Sequence, residues 1–363
     1  MTVEQTYLAL LRSALWGTDM PAVGELQEAL DLADRQKTRG LVYDALLRGG
    51  AALPPETAAR MQELLYLNLN THRLLNTAVA RSVAALQAAE IPCVLLKGQG
   101  VARYYPNPQL RECGDVDLYI GPQRLEEAVR VVSPLADRVA DKAKGLHWKL
   151  WIGKAEIELH DRSMSPCSHR QARLYRTLEE EGLRRGLVSQ DFSDVSVDTP
   201  EDTFNAFYLF YHAWNHFTSG GIGFRQLCDW IQLLHARQDH IDRERLRAIL
   251  DGMGLTGPWR LFGCIAVRDL GLPREEFPFY DDSRPRAYSR VLRLILSEGN
   301  FGLNRKSRVR KPKSYLGNKI YYFFRHGRRF FQILPIAPRE AFNTFRAALS
   351  GAISNTIQDL SKR

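Results

Sequence analysis

The sequence has few cysteines and lacks a long apolar run. Its 363 residues include five cysteines, an odd number, widely spaced and mostly in apolar surroundings, which fits reduced thiols better than a disulfide framework or a zinc site. No stretch reaches the roughly 18 consecutive apolar residues of a membrane-spanning helix, and residues 1–5 lack the features of a signal peptide. We therefore expect a cytoplasmic protein with about two or three domains.

Acidic residues are scarce in one region of the chain. Residues 301–363 contain 14 Lys or Arg and 2 Asp or Glu, a net charge of +12, whereas residues 1–300 carry a net charge of −3. Cations and aromatic rings are interleaved from Arg305 to Phe331. Three interpretations are open: an interfacial helix on an anionic membrane surface, an RNA contact, or a basic linker followed by a helix whose aromatics pack on the protein. Paired aromatics favour the membrane over RNA, which would place the protein peripherally at the inner membrane surface.

Two carboxylates one residue apart form the most informative motif. Asp115 and Asp117 lie in the apolar run of residues 113–120, which is typical of a buried strand, where an unpartnered carboxylate is costly. Residues two apart on a strand project from the same face, so the two groups can converge on one point. Converging carboxylate oxygens are ligands for Mg²⁺. The alternative interpretation is a pair of turn aspartates beside Gly114.

The segment before this motif predicts an anion site. Residues 91–96 are an apolar strand candidate that runs into Lys97-Gly98-Gln99-Gly100, and residues 101–105 resemble a short helix. Free backbone N–H groups point outward where a helix begins, and glycine lets a phosphate approach closely. A strand, a glycine turn and a helix start therefore suit a phosphate group.

The segment after the motif supplies a third carboxylate. Residues 148–152 and 155–160 predict a β-hairpin. Its second strand carries Glu156, Glu158 and His160 on one face. A third acidic side chain beside Asp115 and Asp117 would complete a metal cage.

The remainder of the sequence predicts helices. Apolar residues spaced three and four apart cover residues 3–16, 24–48 and 56–89, although Asn68 and His72 interrupt the last of these faces. Residues 125–132 predict a crossover helix beyond the first strands, and residues 199–202 start another helix that continues to Trp214. We expect the N-terminal helices to form a cap before the sheet.

Two spaced pairs of polar residues follow in the helical half. His212 and His216 are four residues apart and share a helix face, as do Arg225 and Asp229. They have three interpretations: a core histidine pair beside an Arg225 to Asp229 ion pair, a wall of a nucleotide cleft, or a zinc site, for which no third ligand is evident.

Taken in order, these motifs resemble a known family. The segments are Leu95-Leu96-Lys97-Gly98, Tyr104-Tyr105-Pro106, Arg111 followed by Gly114-Asp115-Val116-Asp117-Leu118, Glu158-Leu159-His160, His212-x-x-x-His216 and Arg225-x-x-x-Asp229. Together they cover roughly residues 75–240. They are similar to a bacterial nucleotidyltransferase family of the DNA polymerase β superfamily.

The resemblance implies an α+β fold with a small mixed β-sheet flanked by helices. It assigns catalysis and the binding of two Mg²⁺ ions, with Mn²⁺ as the alternative ion, to Asp115, Asp117 and Glu158. It also implies a nucleoside triphosphate against the turn; the nucleotide-binding residues would be Lys97, Gly98, Gln99, Gly100, Arg111, His160, His212, His216 and Arg225. The superfamily usually places Gly-Ser or Gly-Gly after the strand, and here Gln99 follows Gly98. Lys97 could contact a phosphate or pair with a metal-binding carboxylate.

Four regions and one leading function follow from these observations. We expect an N-terminal helical region over 1–88, a nucleotidyltransferase core over 89–165, a mostly helical domain that completes the cleft over 166–300, and a basic aromatic tail over 301–363. The predicted reaction is Mg²⁺-dependent transfer of a nucleoside monophosphate from a triphosphate to a hydroxyl of a small molecule, sugar, RNA end or protein. The alternative is a non-catalytic relative that binds nucleotide, RNA or a partner protein, and the intact carboxylate trio favours the enzyme.

Overall fold

A computed structural model of the protein describes residues 1–20, 24–140, 147–192, 194–302, 312 and 314–361. Its α-helices over this part of the chain are α1 Val3–Trp16, α2 Leu26–Gln36, α3 Arg39–Arg48, α4 Pro55–Ala88, α5 Gly98–Ala102, α6 Leu125–Val132, α7 His169–Gly182, α8 Asp202–Ser219, α9 Phe224–Arg237, α10 Arg243–Met253, α11 Thr256–Cys264, α12 Pro285–Glu298, α13 Tyr315–Ile333 and α14 Pro338–Ser361. The strands are β1 Val94–Leu96, β2 Asp115–Tyr119, β3 Arg138–Val139, β4 His147–Ile152, β5 Ala155–His160, β6 Val188–Phe192 and β7 Val195–Thr199.

The strands form one mixed sheet in the order β3-β4-β5-β2-β1-β7-β6. β2 runs parallel to β5 and β1 runs parallel to β7, while the other neighbouring strands are antiparallel. The prediction of a mixed sheet flanked by helices is confirmed. The hairpin of β6 and β7 lies within the region expected to be mostly helical, and it extends the sheet beyond the predicted core of residues 89–165.

The two faces of the sheet differ in chemistry. Alternate residues of β2 and β5, such as Leu118 and Leu159, are fully buried in an apolar core with Val79 of α4 and Val129 of α6. The intervening residues of β2 and β5 are polar and point to the opposite face, toward α8 and α9. A second core, which contains Trp214, Trp230 and Trp259, fixes those helices. The sheet and the helical half therefore enclose a polar space between two apolar cores.

The N-terminal helices depart from the sequence pattern at one place and follow it at another. The helical stretch predicted over 24–48 is divided between α2 and α3 at Lys37, whose φ of 58° is left-handed. The stretch predicted over 56–89 is a single helix, α4. Asn68 and His72 interrupt its apolar face because their side chains bind backbone carbonyls, with His72 Nε2 2.7 Å from the oxygen of Arg111. These polar positions attach α4 to the chain just before β2.

The tail is partly integrated into the fold. α13 and α14 contact each other and both contact α8. Ile333, Ile336 and Ala341 are buried in the helical core. The basic run from Arg305 to Lys313 lies outside the described residues except for Pro312. Among the described helices, none is long and apolar enough to cross a membrane.

Candidate functional site

Three carboxylates converge on the polar face of the sheet. Asp115 and Asp117 project from β2, and Glu158 projects from β5 as the register partner of Asp117. One oxygen from each of the three lies within 4.8 Å of the others. The two-residue spacing along β2 and the parallel pairing with β5 together produce this convergence. We call Asp115, Asp117 and Glu158 the carboxylate cluster.

Lys97 and His160 balance the charge of Asp117. Lys97 Nζ lies 3.0 Å from Asp117 Oδ2, and His160 Nε2 lies 2.9 Å from Asp117 Oδ1. Burial alone would raise the pKa of Asp117, but these two partners hold it well below its usual range. Burial would lower the pKa of His160, yet its hydrogen bonds to Asp117 and Glu158 raise it to about 8. The sequence left two roles open for Lys97, a phosphate contact or an ion pair with a metal-binding carboxylate. In the structure Lys97 forms the ion pair.

Glu158 has two further partners on β4, the cation Lys149 and the ring of His147. Lys149 Nζ lies 2.5 Å from Glu158 Oε1, and His147 Nε2 lies 3.6 Å from the same oxygen. Burial would raise the pKa of Glu158, but hydrogen bonds from His160 and Lys149 lower it to about 2. Both Asp117 and Glu158 are therefore ionised at neutral pH.

The roles of Lys149 and His147 were not predicted from the sequence, although the predicted hairpin contained the information that places them. The turn pairs Ile152 with Ala155, and antiparallel register then places Lys149 opposite Glu158 and His147 opposite His160.

Glu156 lies on the same strand face but outside the carboxylate cluster. It is the register partner of Asp115, and its carboxylate forms an ion pair with Lys149. The group of converging oxygen atoms contains Glu158 instead. The structure thus separates two glutamates that the alternation of the strand alone leaves equivalent.

The turn after β1 has a strained backbone. Lys97 has a φ of 37°, a left-handed value that is uncommon for a residue with a side chain and that often marks functional sites. Gly98 follows with a φ of 47°, and a Cβ there would lie 3.4 Å from the backbone oxygen of Asp115. The turn therefore brings Lys97 and Gly98 directly beside the carboxylate cluster.

Gln99 and Gly100 do not line the cleft in the way that the resemblance implied. The Gln99 side chain is buried and bonds to Asn76, and Cys113 Sγ donates to Gln99 Oε1 at 2.6 Å. A Cβ on Gly100 would meet the backbone oxygen of Leu95 at 3.2 Å. Both positions pack the turn against its surroundings, and the cleft-facing part of the motif is Lys97 and Gly98.

Arg111 is held in a buried network. Its Nε and Nη2 donate to the two oxygens of Asp229 at 2.6 and 2.7 Å, and the Tyr105 hydroxyl donates to Asp229 Oδ1 at 2.7 Å. Arg111 Nη1 also lies 3.0 Å from Cys113 Sγ. We call Tyr105, Arg111 and Asp229 the arginine network. It replaces the ion pair between Arg225 and Asp229 that the helix spacing indicated, since a bidentate contact with Arg111 occupies both carboxylate oxygens.

Arg225 instead faces the cleft. Its Nη1 donates to the backbone oxygen of Glu112 at 2.9 Å, and its buried Nε has no hydrogen-bond partner among the described residues. Its guanidinium is therefore anchored at one end and can donate further at the other.

His212 and His216 form a contacting pair on α8, at the wall of the cleft. Their Nε2 atoms lie 3.3 Å apart. Burial and the nearby charge of Lys97 lower the pKa of His216 to about 4 and that of His212 well below its usual range. Neither belongs to a group of three potential metal ligands among the described residues. The pair is therefore neutral at physiological pH and suits hydrogen bonding better than zinc binding.

The carboxylate cluster opens into a cleft of about 840 Å³. Its walls come from the sheet, from α8 and α9, and from the start of α3. The cationic residues along it are Lys37, Arg39, Lys97, Arg111, Arg162 and Arg225. A space of this size accepts a nucleotide-sized ligand. Its lysine and arginine side chains can attract phosphates, and the carboxylate cluster and three further acidic side chains line the same space.

Comparisons with known proteins yield a family match and a distantly similar solved structure. A solved structure, an antigenic nucleotidyltransferase-like protein from Paracoccidioides brasiliensis, is 15% identical and aligns over 55% of this chain and 93% of that chain, with a TM-score of 0.33. Comparison with curated proteins yields no significant match. The sequence model of a family described as uncharacterised nucleotidyltransferase matches residues 24–270, a span that includes every residue of the cluster and the network. The chain belongs to this uncharacterised nucleotidyltransferase family.

Proposed function

We propose that the protein transfers a nucleoside monophosphate from a nucleoside triphosphate to a hydroxyl acceptor, with two bound Mg²⁺ ions. The observation that carries the proposal is the convergence of Asp115, Asp117 and Glu158 in a cleft that several lysine and arginine side chains also line. Nucleotidyl transfer requires mainly positioning and neutralisation of phosphate charge. A carboxylate cluster beside cations supplies both.

The donor set fits a hard divalent cation. All three cluster ligands are carboxylates, the oxygen donors that Mg²⁺ and Mn²⁺ prefer. Asp115 has no hydrogen bond or ion pair with any described residue and is only half-buried, so its oxygens are open to a ligand. We propose Mg²⁺ as the natural ion and Mn²⁺ as a substitute. When bound, such ions neutralise phosphate charge and lower the pKa of an attacking hydroxyl.

The chain's own residues would position the triphosphate. Lys97 and Gly98 lie beside the cluster, where the strained turn can place a backbone N–H and an ammonium near phosphate oxygens. Arg225 presents a partly unsatisfied guanidinium from the facing helix. Lys149 and His160 keep Glu158 and Asp117 ionised and therefore ready to act as ligands. The acceptor would enter from the part of the cleft lined by α8, where His212 and His216 offer neutral nitrogen atoms.

The test is a screen of ATP, GTP, CTP and UTP for pyrophosphate release by the full chain with Mg²⁺. Acceptors are pooled by class as sugars and small alcohols, RNA ends, and proteins. We expect at least one triphosphate to be consumed in a Mg²⁺-dependent way. Glu158→Gln should lower that rate at least about 100-fold because a metal ligand is lost.

Glu156→Gln is the matched control, since it makes the same chemical change two residues away on the same face. It should keep most of the rate. Pyrophosphate release that survives equally in both variants would contradict the proposed site. Absence of release with every triphosphate and acceptor class would contradict the proposed reaction.

A second candidate, a metal-independent nucleotide-binding protein, is favoured by one observation. Lys97 and Lys149 already pair with Asp117 and Glu158, so the cluster is electrostatically balanced without an ion. In that case the cationic walls would contact the triphosphate directly. Equal nucleotide affinity in EDTA and in Mg²⁺, without pyrophosphate release, would favour this candidate.

A further inference from the structure

The helix α13 has two chemically different faces. On one face Arg329 is 3% exposed and donates from Nη1 to both oxygens of Glu298, at 2.9 and 3.1 Å, and Ile333 is buried. Arg329 Nε also donates to the backbone oxygen of Thr218 at 3.2 Å. These contacts dock α13 on α8 and α12, which orients the opposite face outward.

The outward face is an apolar stripe. Ile320, Phe324 and Phe331 are exposed, and their spacing of four and seven residues places them one above another on a helix. Phe324 and Phe331 are each 69% exposed, which is costly in water for rings that otherwise favour burial. Gly327 lies between Phe324 and Phe331 on the same side of the helix, so no charged side chain interrupts the stripe there.

Two further rings widen this surface. Phe323 is exposed beside Phe324, with ring centroids 5.9 Å apart. Phe342 of α14 is exposed, and its ring lies 5.1 Å from that of Phe330, which in turn contacts Phe331. We call Ile320, Phe323, Phe324, Phe331 and Phe342 the aromatic face. Contiguous exposed apolar surface of this kind marks an interaction site.

The charges around the aromatic face have one sign. Among the tail side chains whose burial the structure describes, the exposed charged ones are Arg325, Arg328, Arg339 and Arg346. Arg328 follows Phe324 by four residues and precedes Phe331 by three, so it flanks the stripe. The whole segment from residue 301 carries a net charge of +12. It also lies outside the span 24–270 that matches the family, so it adds a feature that the family match does not cover.

We infer that the aromatic face binds an anionic membrane surface, with the rings inserted at the headgroup boundary and the flanking arginines on lipid phosphates. A continuous apolar stripe with cations along its edge is the pattern of an interfacial helix. The described helices cannot span a membrane, so the contact is peripheral. This surface is separate from the cleft and does not depend on the proposed reaction.

The test is co-sedimentation of the full chain with vesicles of phosphatidylcholine alone or mixed with phosphatidylglycerol. We expect binding to the anionic vesicles that weakens as salt rises from about 0.1 M to about 0.5 M. Phe324→Ser with Phe331→Ser should weaken binding about tenfold or more, because two inserted rings are lost. Arg325→Gln with Arg328→Gln should remove much of the salt dependence.

The matched control is Tyr66→Ser with Leu67→Ser, which removes exposed apolar side chains from α4. It should bind vesicles as the parent does. Equal binding by the parent and the double Phe variant would overturn the inference. So would binding of the parent to RNA with no binding to anionic vesicles, or a parent dimer that the double Phe variant converts to a monomer while vesicle binding is absent.

A reporter variant keeps the test decisive if the serine variants unfold. Phe331→Trp preserves an aromatic ring, and the native tryptophans all lie outside the tail. On anionic vesicles its added fluorescence should shift to shorter wavelength and be quenched by brominated lipid. Fluorescence identical to the parent's in both respects would place residue 331 in water and contradict the inference.

Discussion

The carboxylate cluster and the arginine network differ in how their charges are satisfied, although Arg111, Asp115 and Asp117 come from one short segment. In the network, Arg111 and Asp229 satisfy each other through two contacts, and the Tyr105 hydroxyl completes the set inside the protein. In the cluster, Asp117 and Glu158 share His160, Asp115 has no ion pair with a described residue, and all three carboxylates face a cleft. Buried polar groups whose hydrogen bonds are all made within the protein are typical of a structural role. Like charges that converge on one point are costly, which suggests that they are kept for a function. The comparison therefore separates motif residues that build the site from those that can perform chemistry.

The largest effect on stability should come from removing one charged member of the arginine network. Asp229→Ala leaves the buried Arg111 guanidinium without its partner, and we expect it to lower the free energy of unfolding by about 3–5 kcal/mol. Urea denaturation followed by circular dichroism measures the change. Replacing both charges, as Arg111→Met with Asp229→Leu, should cost less than the single substitution, because no unpaired charge remains. A single variant as stable as the parent would contradict the structural role of the network.

A smaller effect should follow from removing a cation from the cluster. Lys97→Met takes one partner from Asp117 but leaves His160, and we expect a loss of about 1–3 kcal/mol without metal. Added Mg²⁺ should then raise the melting temperature of this variant more than that of the parent, because the ion replaces the missing charge. Lys149→Met is a parallel test at Glu158. Equal Mg²⁺-induced shifts in parent and variants would contradict a shared electrostatic role for lysine and metal.

His212 and His216 belong to neither the cluster nor the network. They should make the free energy of unfolding depend on pH. His216 is neutral in the folded protein down to a pKa of about 4, whereas an unfolded histidine titrates near 6.5. The unfolded state therefore binds more protons between these values, so stability is full above about pH 6.5 and falls as the pH approaches 4. Between pH 7 and 5 the parent should lose about 1–2 kcal/mol more than His216→Gln, measured by urea denaturation at each pH. Parallel pH profiles would contradict a half-buried neutral histidine at position 216.

The smallest stability effect should come from Asp115→Asn. Asp115 has no direct ion pair among the described residues, and Lys97 attracts it only at longer range, so removing its charge mainly relieves repulsion with Asp117 and Glu158. We expect the free energy of unfolding without metal to stay within about 0.5 kcal/mol of the parent or rise slightly. Asp117→Asn should be less stable than Asp115→Asn, because it leaves Lys97 and His160 without their shared carboxylate. The reverse order in thermal denaturation would contradict the pairing seen in the structure.

Strands could be predicted from the sequence, because their side chains alternate with a period of two residues. Alternation within residues 113–120 and 155–160 located two strands and placed Asp115, Asp117 and Glu158 on matching faces, because side chains alternate regardless of what the strand packs against. The helices followed from the spacing of apolar residues, and the mixed sheet flanked by helices followed from the family resemblance.

Pairings between distant residues could not be predicted. Arg111 and Asp229 are 118 residues apart, and nothing local favours that contact over the Arg225 partner four residues away. The parallel pairing of β7 with β1 and the inward orientation of Gln99 likewise depend on tertiary packing. The exposed aromatic face was not predictable either, since its pattern also fits a buried helix until the docking of Arg329 fixes which side is covered.

Binding of Mn²⁺ is the most direct test of the claim that the carboxylate cluster is a metal site. The free ion is measured by electron paramagnetic resonance in the presence of a non-hydrolysable triphosphate analogue. We expect Asp115→Asn and Glu158→Gln each to weaken Mn²⁺ binding at least about tenfold, while Glu156→Gln binds as the parent does. Mn²⁺ affinity that is unchanged in the first two variants, with the protein folded, would contradict that claim.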